Sequence, residues 1–150
     1  MPRVFNSTLE NALRIILLLD AFDTPQNTDM LYAADFIVVY GRTFGIADED
    51  LNGDNQYKFS EFVSRRAMVQ KALKELVLDG LVMPSEIDSG IVFHITADGK
   101  KYCTSLESDY AREYKTIAKK VVQFVSGKSE RSVIAQINRL SATSLKEAAK

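Results

Sequence analysis

The stretch Asp50-Leu51-Asn52-Gly53-Asp54-Asn55-Gln56-Tyr57-Lys58-Phe59-Ser60-Glu61-Phe62 carries the densest set of oxygen ligands in the chain. With Asp50 as the first position of a calcium loop, ligands fall at Asp50, Asn52 and Asp54, a backbone carbonyl at Gln56 and a bidentate carboxylate at Glu61. Three features oppose that chemistry. Asn55 stands where the sharp turn wants glycine, Tyr57 replaces the aliphatic residue that packs such a loop, and Gly41 and Gly45 interrupt any helix leading up to Asp50. There is also no second loop to pair with it. The competing reading is an acidic loop ending at Ser60 as the N-cap of a long helix, and the sequence favours it. No metal or other cofactor is assigned.

The second candidate is cationic. Lys58, Arg65, Arg66, Lys71 and Lys74 fall on the helix that follows, in the arrangement a nucleic-acid-binding or partner-binding helix uses to anchor phosphates or carboxylates. A solvated face explains the same pattern. Glu61 lies four residues before Arg65 and Glu75 four after Lys71, so some of these charges can pair along the helix. The turn beyond that helix, Pro84-Ser85-Glu86-Ile87-Asp88-Ser89-Gly90, is acidic, which opposes contact with a phosphate backbone.

Catalytic constellations are missing from the sequence. His94, the one histidine, alternates within an apolar strand pattern, where a structural role fits better than general-base work. Cys103 sits in a helical pattern beside Tyr102 and Leu106 and reads as a buried, inert thiol. Asp48, Glu49 and Asp50 lie together in a loop with nothing to shift their ionisation. No phosphate-binding glycine loop, His-Glu-x-x-His or nucleophile turn occurs. The chain reads as non-catalytic.

The elements that would position these residues follow from periodicity and punctuation. Ser7-Thr8-Leu9-Glu10 is a capping box opening a helix over 8–22. Asp23-Thr24-Pro25-Gln26-Asn27 is a turn, and Thr28-Asp29 opens a second helix to Tyr40, apolar around most of its circumference. Residues 41–56 form a long polar loop. The third helix runs from Ser60 to the glycine stop at Asp79-Gly80. Leu81-Val82-Met83 and Ile91–Ile95 read as strands around a turn from Pro84 to Gly90. Helices over 97–107 and from Ser108 to Ser126 follow, the latter with Tyr110, Tyr114, Ile117, Val121, Phe124 and Val125 as apolar positions. Residues 127–150 are compatible with a further helix or a flexible tail. This order predicts an α+β, mostly α chain: a winged-helix core of three helices plus a β-hairpin wing, in one domain over 1–126 with appended C-terminal helices.

Composition sets the outer bounds. At 150 residues, 46% hydrophobic and 26% charged, the chain can bury one substantial core. A single cysteine excludes an internal disulfide and cysteine-rich zinc chemistry. The run Ile15–Leu19 ends at Asp20, far short of a membrane span, and the opening residues lack a signal-peptide layout, so a cytoplasmic protein is expected. The formal charge of −1 divides unevenly, with −6 over residues 1–56 and +5 over 57–150. The basic part can attract phosphate, but equally an acidic partner or another copy.

Several stretches resemble the middle component of bacterial ABC-three-component systems, the group to which the small subunit of Lamassu-type anti-phage defence belongs. They are Phe5 to Leu19, Leu31-Tyr32-Ala33-Ala34-Asp35-Phe36 with Val38-Val39-Tyr40, Tyr57-Lys58 with Glu61 through Arg65-Arg66, and Leu76 to Val82. The likeness covers residues 5 to 125 and rests on ordered short patterns. It implies a winged-helix accessory subunit beside an SMC- or Rad50-like ATPase and a separate effector, often a nuclease, with DNA met through the complex. In such proteins the 41–56 stretch is a variable loop; its acidity is this chain's departure. Only Arg65 and Arg66 carry over, as a contact surface of unknown ligand. A stand-alone DNA-binding regulator is the alternative, and a calcium-binding module a lesser one.

Overall fold

The computed structural model describes residues 7–53, 55 and 57–148, with side chains through residue 144. Among them the chain forms six helices and one hairpin: α1 (Thr8–Phe22), α2 (Thr28–Val39), α3 (Lys58–Leu78), β1 (Val82–Ile87), β2 (Gly90–Ile95), α4 (Ala97–Ser105), α5 (Asp109–Val125) and α6 (Glu130–Ala148). The class is α+β and mostly helical, as the sequence predicts.

The helix starts are set by side chains that satisfy orphan amides. Ser7, Asn27, Thr96 and Ser108 each accept from the backbone N–H three residues on. The start of α3 differs from the sequence expectation. The helix begins at Lys58 with Tyr57 at the cap position and no side-chain cap, so Ser60 lies inside the first turn rather than before it. A hydrogen bond from the Glu61 amide to the Tyr57 carbonyl closes that turn.

The end of α3 is a Schellman stop. Gly80 takes a left-handed φ of 74°, its N–H bonds to the Val77 carbonyl, and the Leu81 N–H reaches the Leu76 carbonyl. From there the hairpin runs antiparallel, Val82 opposite Ile95 and Ile87 opposite Gly90. Its strands continue through Pro84–Ile87, which the sequence assigns to a turn. The register explains why proline is tolerated. Phe93, the cross-strand partner of Pro84, spends its own N–H and C=O on Gln26, on the far side from β1. Pro84 therefore occupies a pair without mutual hydrogen bonds, and the N–H it lacks would have pointed off the sheet edge. Gln26, between α1 and α2, adds a single-residue bridge outside β2.

One continuous core joins the elements. The buried residues of α1 (Ile15–Leu19), α2 (Met30–Val39), α3 (Phe62, Val69, Leu73, Leu76) and α5 (Ala111, Tyr114, Ala118, Val121, Val125) belong to a single cluster. Val133 and Ile137 bring α6 into that cluster, against α2. α2 is buried along almost its whole length, as its lack of a polar face predicts. Phe36 at its centre meets the rings of Tyr40, Phe44, Phe59 and Phe62 at centroid distances of 4.9–6.0 Å. No helix among the described residues is long and apolar enough to cross a membrane.

Thr96 and Gly99 lock the hairpin to the helices. The Thr96 hydroxyl donates to the Gly80 carbonyl and its amide to that of Leu81. Gly99, in the first turn of α4, lies so close beneath that a Cβ would sit 2.2 Å from the Leu81 oxygen and 2.6 Å from Ile95 Cγ1. The close backbone obstacle makes this glycine obligatory. Gly99→Ala is expected to cost about 1–3 kcal/mol by overpacking, read as a lower urea midpoint; an unchanged midpoint would show that the hairpin-to-α4 contact is loose.

Candidate functional site

Of the five cations on the third helix, the structure places one away from the surface. Arg65 is 2% exposed and points between the helices. Its Nη2 donates to Asp35 Oδ2 at 2.9 Å. From α1, Arg14 Nε donates to Asp35 Oδ1 at 3.2 Å, and from α5 the Tyr114 hydroxyl donates to the same oxygen at 2.7 Å. Arg14 also donates through Nη2 to Asn11 Oδ1, and its guanidinium is approached by Tyr110. A carboxylate in the middle of α2 thus gathers α1, α3 and α5. The expectation that Arg65 forms part of a contact face is corrected: Asp35 draws it inward.

Electrostatics explains why these charges are tolerated inside. Burial alone would raise the Asp35 carboxyl, but the Arg14 and Arg65 guanidiniums and the Tyr114 and Arg65 hydrogen bonds outweigh it and hold Asp35 below the usual carboxylate range. For Arg14, burial pulls downward, and the neighbouring Asp35 charge, reinforced by Tyr110 and Tyr114, more than offsets it. Two guanidiniums facing one carboxylate leave an excess positive charge. Glu61, one turn before Arg65, balances it from the rim, its Oε2 4.0 Å from Arg65 Nη1 while accepting the Tyr40 hydroxyl at 2.7 Å. Burial first, and then Glu61, push that hydroxyl up to about 12.

The other four cations are distributed differently. Arg66 Nε donates to Asp29 at 2.7 Å, a pair about half exposed on both sides. The Lys58 ammonium lies 6.0 Å from the Tyr40 ring centroid and 5.8 Å from that of Phe59. Lys71 and Lys74 are exposed, and neither forms an ion pair among the described residues. Lys74 borders a groove of about 660 Å³ between α3 and the hairpin, walled by Leu73, Val77, Leu78, Pro84, Ile91 and Phe93. Asp29, Arg66 and Glu130 supply its remaining charges.

The calcium-loop reading meets a mixed placement. Asp54 and Gln56 lie outside the described residues. Asp50 Oδ1 accepts the Arg42 amide at 3.1 Å, Asn52 is near Tyr110, and Glu61 is engaged by Tyr40. The described residues contain no cluster of three or more acidic, histidine or cysteine side chains arranged for a metal. Cys103 is buried, its Sγ 3.6 Å from the Ile16 carbonyl, and burial with the Asp20 charge pushes the thiol up to about 12. At neutral pH it is a protonated, shielded sulfur with little nucleophilic character. His94 pairs with Met83 across the hairpin, beside a shallow hollow bordered by Asp23, Pro25 and Lys100.

Sequence reasoning missed Asp35 and Arg14. The signal was present: both are charged residues inside otherwise apolar helical runs, and a buried charge requires a partner. Tyr114, assigned to ordinary packing, is also the third donor to Asp35. Asp35→Asn keeps the shape but leaves two buried guanidiniums facing a neutral amide. The expected loss is about 3–5 kcal/mol in chemical denaturation, and a loss below about 1 kcal/mol would mean that water or another acid compensates. Because the folded Asp35 lies below its unfolded value of about 3.9, its contribution is fully present above that pH and is lost as pH falls through the lower folded value. The acid limb of a stability–pH curve should therefore be shallower in Asp35→Asn than in the parent.

The family model for the ABC-three component (ABC-3C) system Middle Component 2 matches residues 4–147, and the chain belongs to that family. No curated protein and no solved structure matches it.

Proposed function

We propose that this middle component is a non-catalytic accessory subunit of an anti-phage complex of the Lamassu type. It docks an SMC- or Rad50-like ATPase to a separate effector, often a nuclease, and meets DNA through the assembly. The observation that carries the reading is the family match over nearly the whole chain, which makes it one component of a three-component system and so a protein with protein partners. The ATPase, the effector and the defence role extend that finding through the resemblance of the Phe5–Leu19, Leu31–Tyr40 and Leu76–Val82 stretches.

The core reads as a winged helix. The order helix, short extended segment, two helices, hairpin is that layout, and the Gln26–Phe93 bridge supports it by laying the segment after α1 along the free side of β2. Within this layout α3 is the element a DNA reader would insert into the major groove. Its charges argue for a different use. Arg65 is consumed by Asp35 and Arg66 is paired with Asp29, while the wing offers Glu86 and Asp88 to any approaching phosphate. Lys71 and Lys74 remain exposed to contact a partner. Autonomous duplex binding built on them alone would be weak and strongly salt-dependent.

The non-catalytic reading draws support from Cys103, protonated and enclosed, and from the engagement of the acidic side chains Asp35, Asp50 and Glu61 with protein donors. The test is co-expression with the neighbouring genes and recovery on this subunit. A large coiled-coil ATPase should remain bound after a high-salt wash, while the purified chain alone should leave a duplex unshifted at physiological salt. A chain that shifts duplex DNA alone and retains no ATPase would replace this reading with the stand-alone regulator.

A further inference from the structure

The cations of the last two helices are distributed unlike those of α3. From Tyr114 to Lys146 the chain carries seven lysines and arginines and one carboxylate, Glu130, a balance of +6. With a formal charge of −1 overall, the other 117 residues hold −7. Soluble surfaces usually intersperse the two signs. Segregation on this scale gives the molecule a cationic side that turns toward any polyanion.

The structure brings these charges to the outer faces of α5 and α6. At 100° per residue, Thr116, Lys119, Lys120 and Gln123 lie opposite the buried Tyr114, Ala118, Val121 and Val125, and all four are exposed. Phe124 follows Lys120 by one turn, and the Lys128 ammonium folds back over its ring at 4.1 Å. On α6, which packs with α5 against α2, the exposed Arg131 and Arg139 lie opposite the buried Val133 and Ile137. None of Lys119, Lys120, Lys128, Arg131 and Arg139 forms an ion pair among the described residues. The acids nearby are few. Asp20 of α1 borders the Lys119 flank and is offset there by Lys115, whose ammonium donates to the Cys103 and Leu106 carbonyls. Asp48, Glu49 and Glu113 gather around Arg112 at the far end of α5. Glu130 then leaves the five cations with a balance of +4.

An acidic protein and a phosphate backbone both carry the charge this face calls for, and its side chains favour the phosphate. Protein interfaces are anchored by large apolar or aromatic residues. The exposed large apolar side chains of this chain lie on α1, the loop before α3, α3 and the hairpin, and none on α4, α5 or α6. Between the cations stand Thr116, Gln123, Ser126 and Ser132, exposed hydroxyls and an amide of the kind that contact phosphate oxygens. We infer that the outer face of α5 and α6 is a docking surface for the phosphate backbone of a nucleic acid, held without regard to base sequence. It names where this subunit touches the DNA that the assembly meets, and to that extent rests on the function proposed above.

The test uses the full chain alone and a labelled duplex of about 20 base pairs, followed by fluorescence anisotropy between about 50 and 150 mM salt. Four or five phosphate contacts give a log–log salt slope of about −4, so affinity should fall on the order of a hundredfold over that range. Lys119→Gln with Lys120→Gln, and separately Arg131→Gln with Arg139→Gln, should each raise Kd at least about tenfold at low salt and make the slope shallower by about 2. Lys71→Gln with Lys74→Gln on α3 should leave both unchanged. Unlabelled duplex should displace the label far better than polyglutamate of equal charge. Absence of binding at low salt overturns the inference, as does binding that ignores either pair or falls as much with the α3 pair. Equal displacement by polyglutamate would assign the face to an acidic protein instead. Recovery of the ATPase on the Lys119/Lys120 variant reads the proposed function separately: a chain that keeps the ATPase while the parent ignores the duplex loses this inference alone.

Discussion

The buried carboxylate of Asp35 is the constraint on which the packing of this protein turns. It lies within the buried run Met30–Val39 of α2, where it is the one charged residue, and water cannot reach it. An ion in that position is tolerated only if fixed donors replace its hydration shell. They come from three other helices: Arg14 on α1, Arg65 on α3 and Tyr114 on α5. Hydrophobic burial can hold helices together at many rotations and shifts, since apolar contacts carry little direction. A carboxylate with directed hydrogen bonds to three elements accepts far fewer. Asp35 therefore contributes alignment as much as stability.

That alignment bears on function. With Arg65 turned inward and Arg66 held by Asp29, α3 presents to solvent the apolar Val63 and Leu78 beside Lys71 and Lys74, a less basic face than the sequence predicts. The hairpin beyond the Schellman stop at Gly80 is set against α3 by Thr96 and Gly99, and it faces that flank with an acidic tip. A surface of this kind suits protein contact better than phosphate contact. It also fits a chain whose family is defined by membership in a multi-component system.

Much of this was legible in the amino-acid sequence. The bounds of α1 follow from its capping box, and those of α2, α4 and α5 from caps and periodicity to within a residue or two. The errors have physical causes. Ser60 was read as a cap because serine favours that position, but here the helix forms one turn earlier without side-chain help. Pro84 was read as a turn because proline breaks ladders, and only the register shows that its missing N–H faces outward. Arg65 was read as a surface cation because arginine usually is one; its inward path depends on Asp35, thirty residues earlier in the chain. Long-range pairing of this sort has no local signature. The groove is likewise invisible in one dimension, since it arises between α3 and a hairpin that Gly99 of α4 approaches closely at Leu81 and Ile95.

If Asp35 is the junction between α1 and α3, Arg14 and Arg65 must be energetically linked through it. A double-mutant cycle with Arg14→Gln and Arg65→Gln, read by chemical denaturation, measures this directly. The account predicts a coupling well above the roughly 0.5 kcal/mol of independent sites, because each substitution changes the charge balance around the same carboxylate. Additive losses would contradict it, and would mean that the two arginines are held by separate local contacts while apolar packing alone aligns the helices.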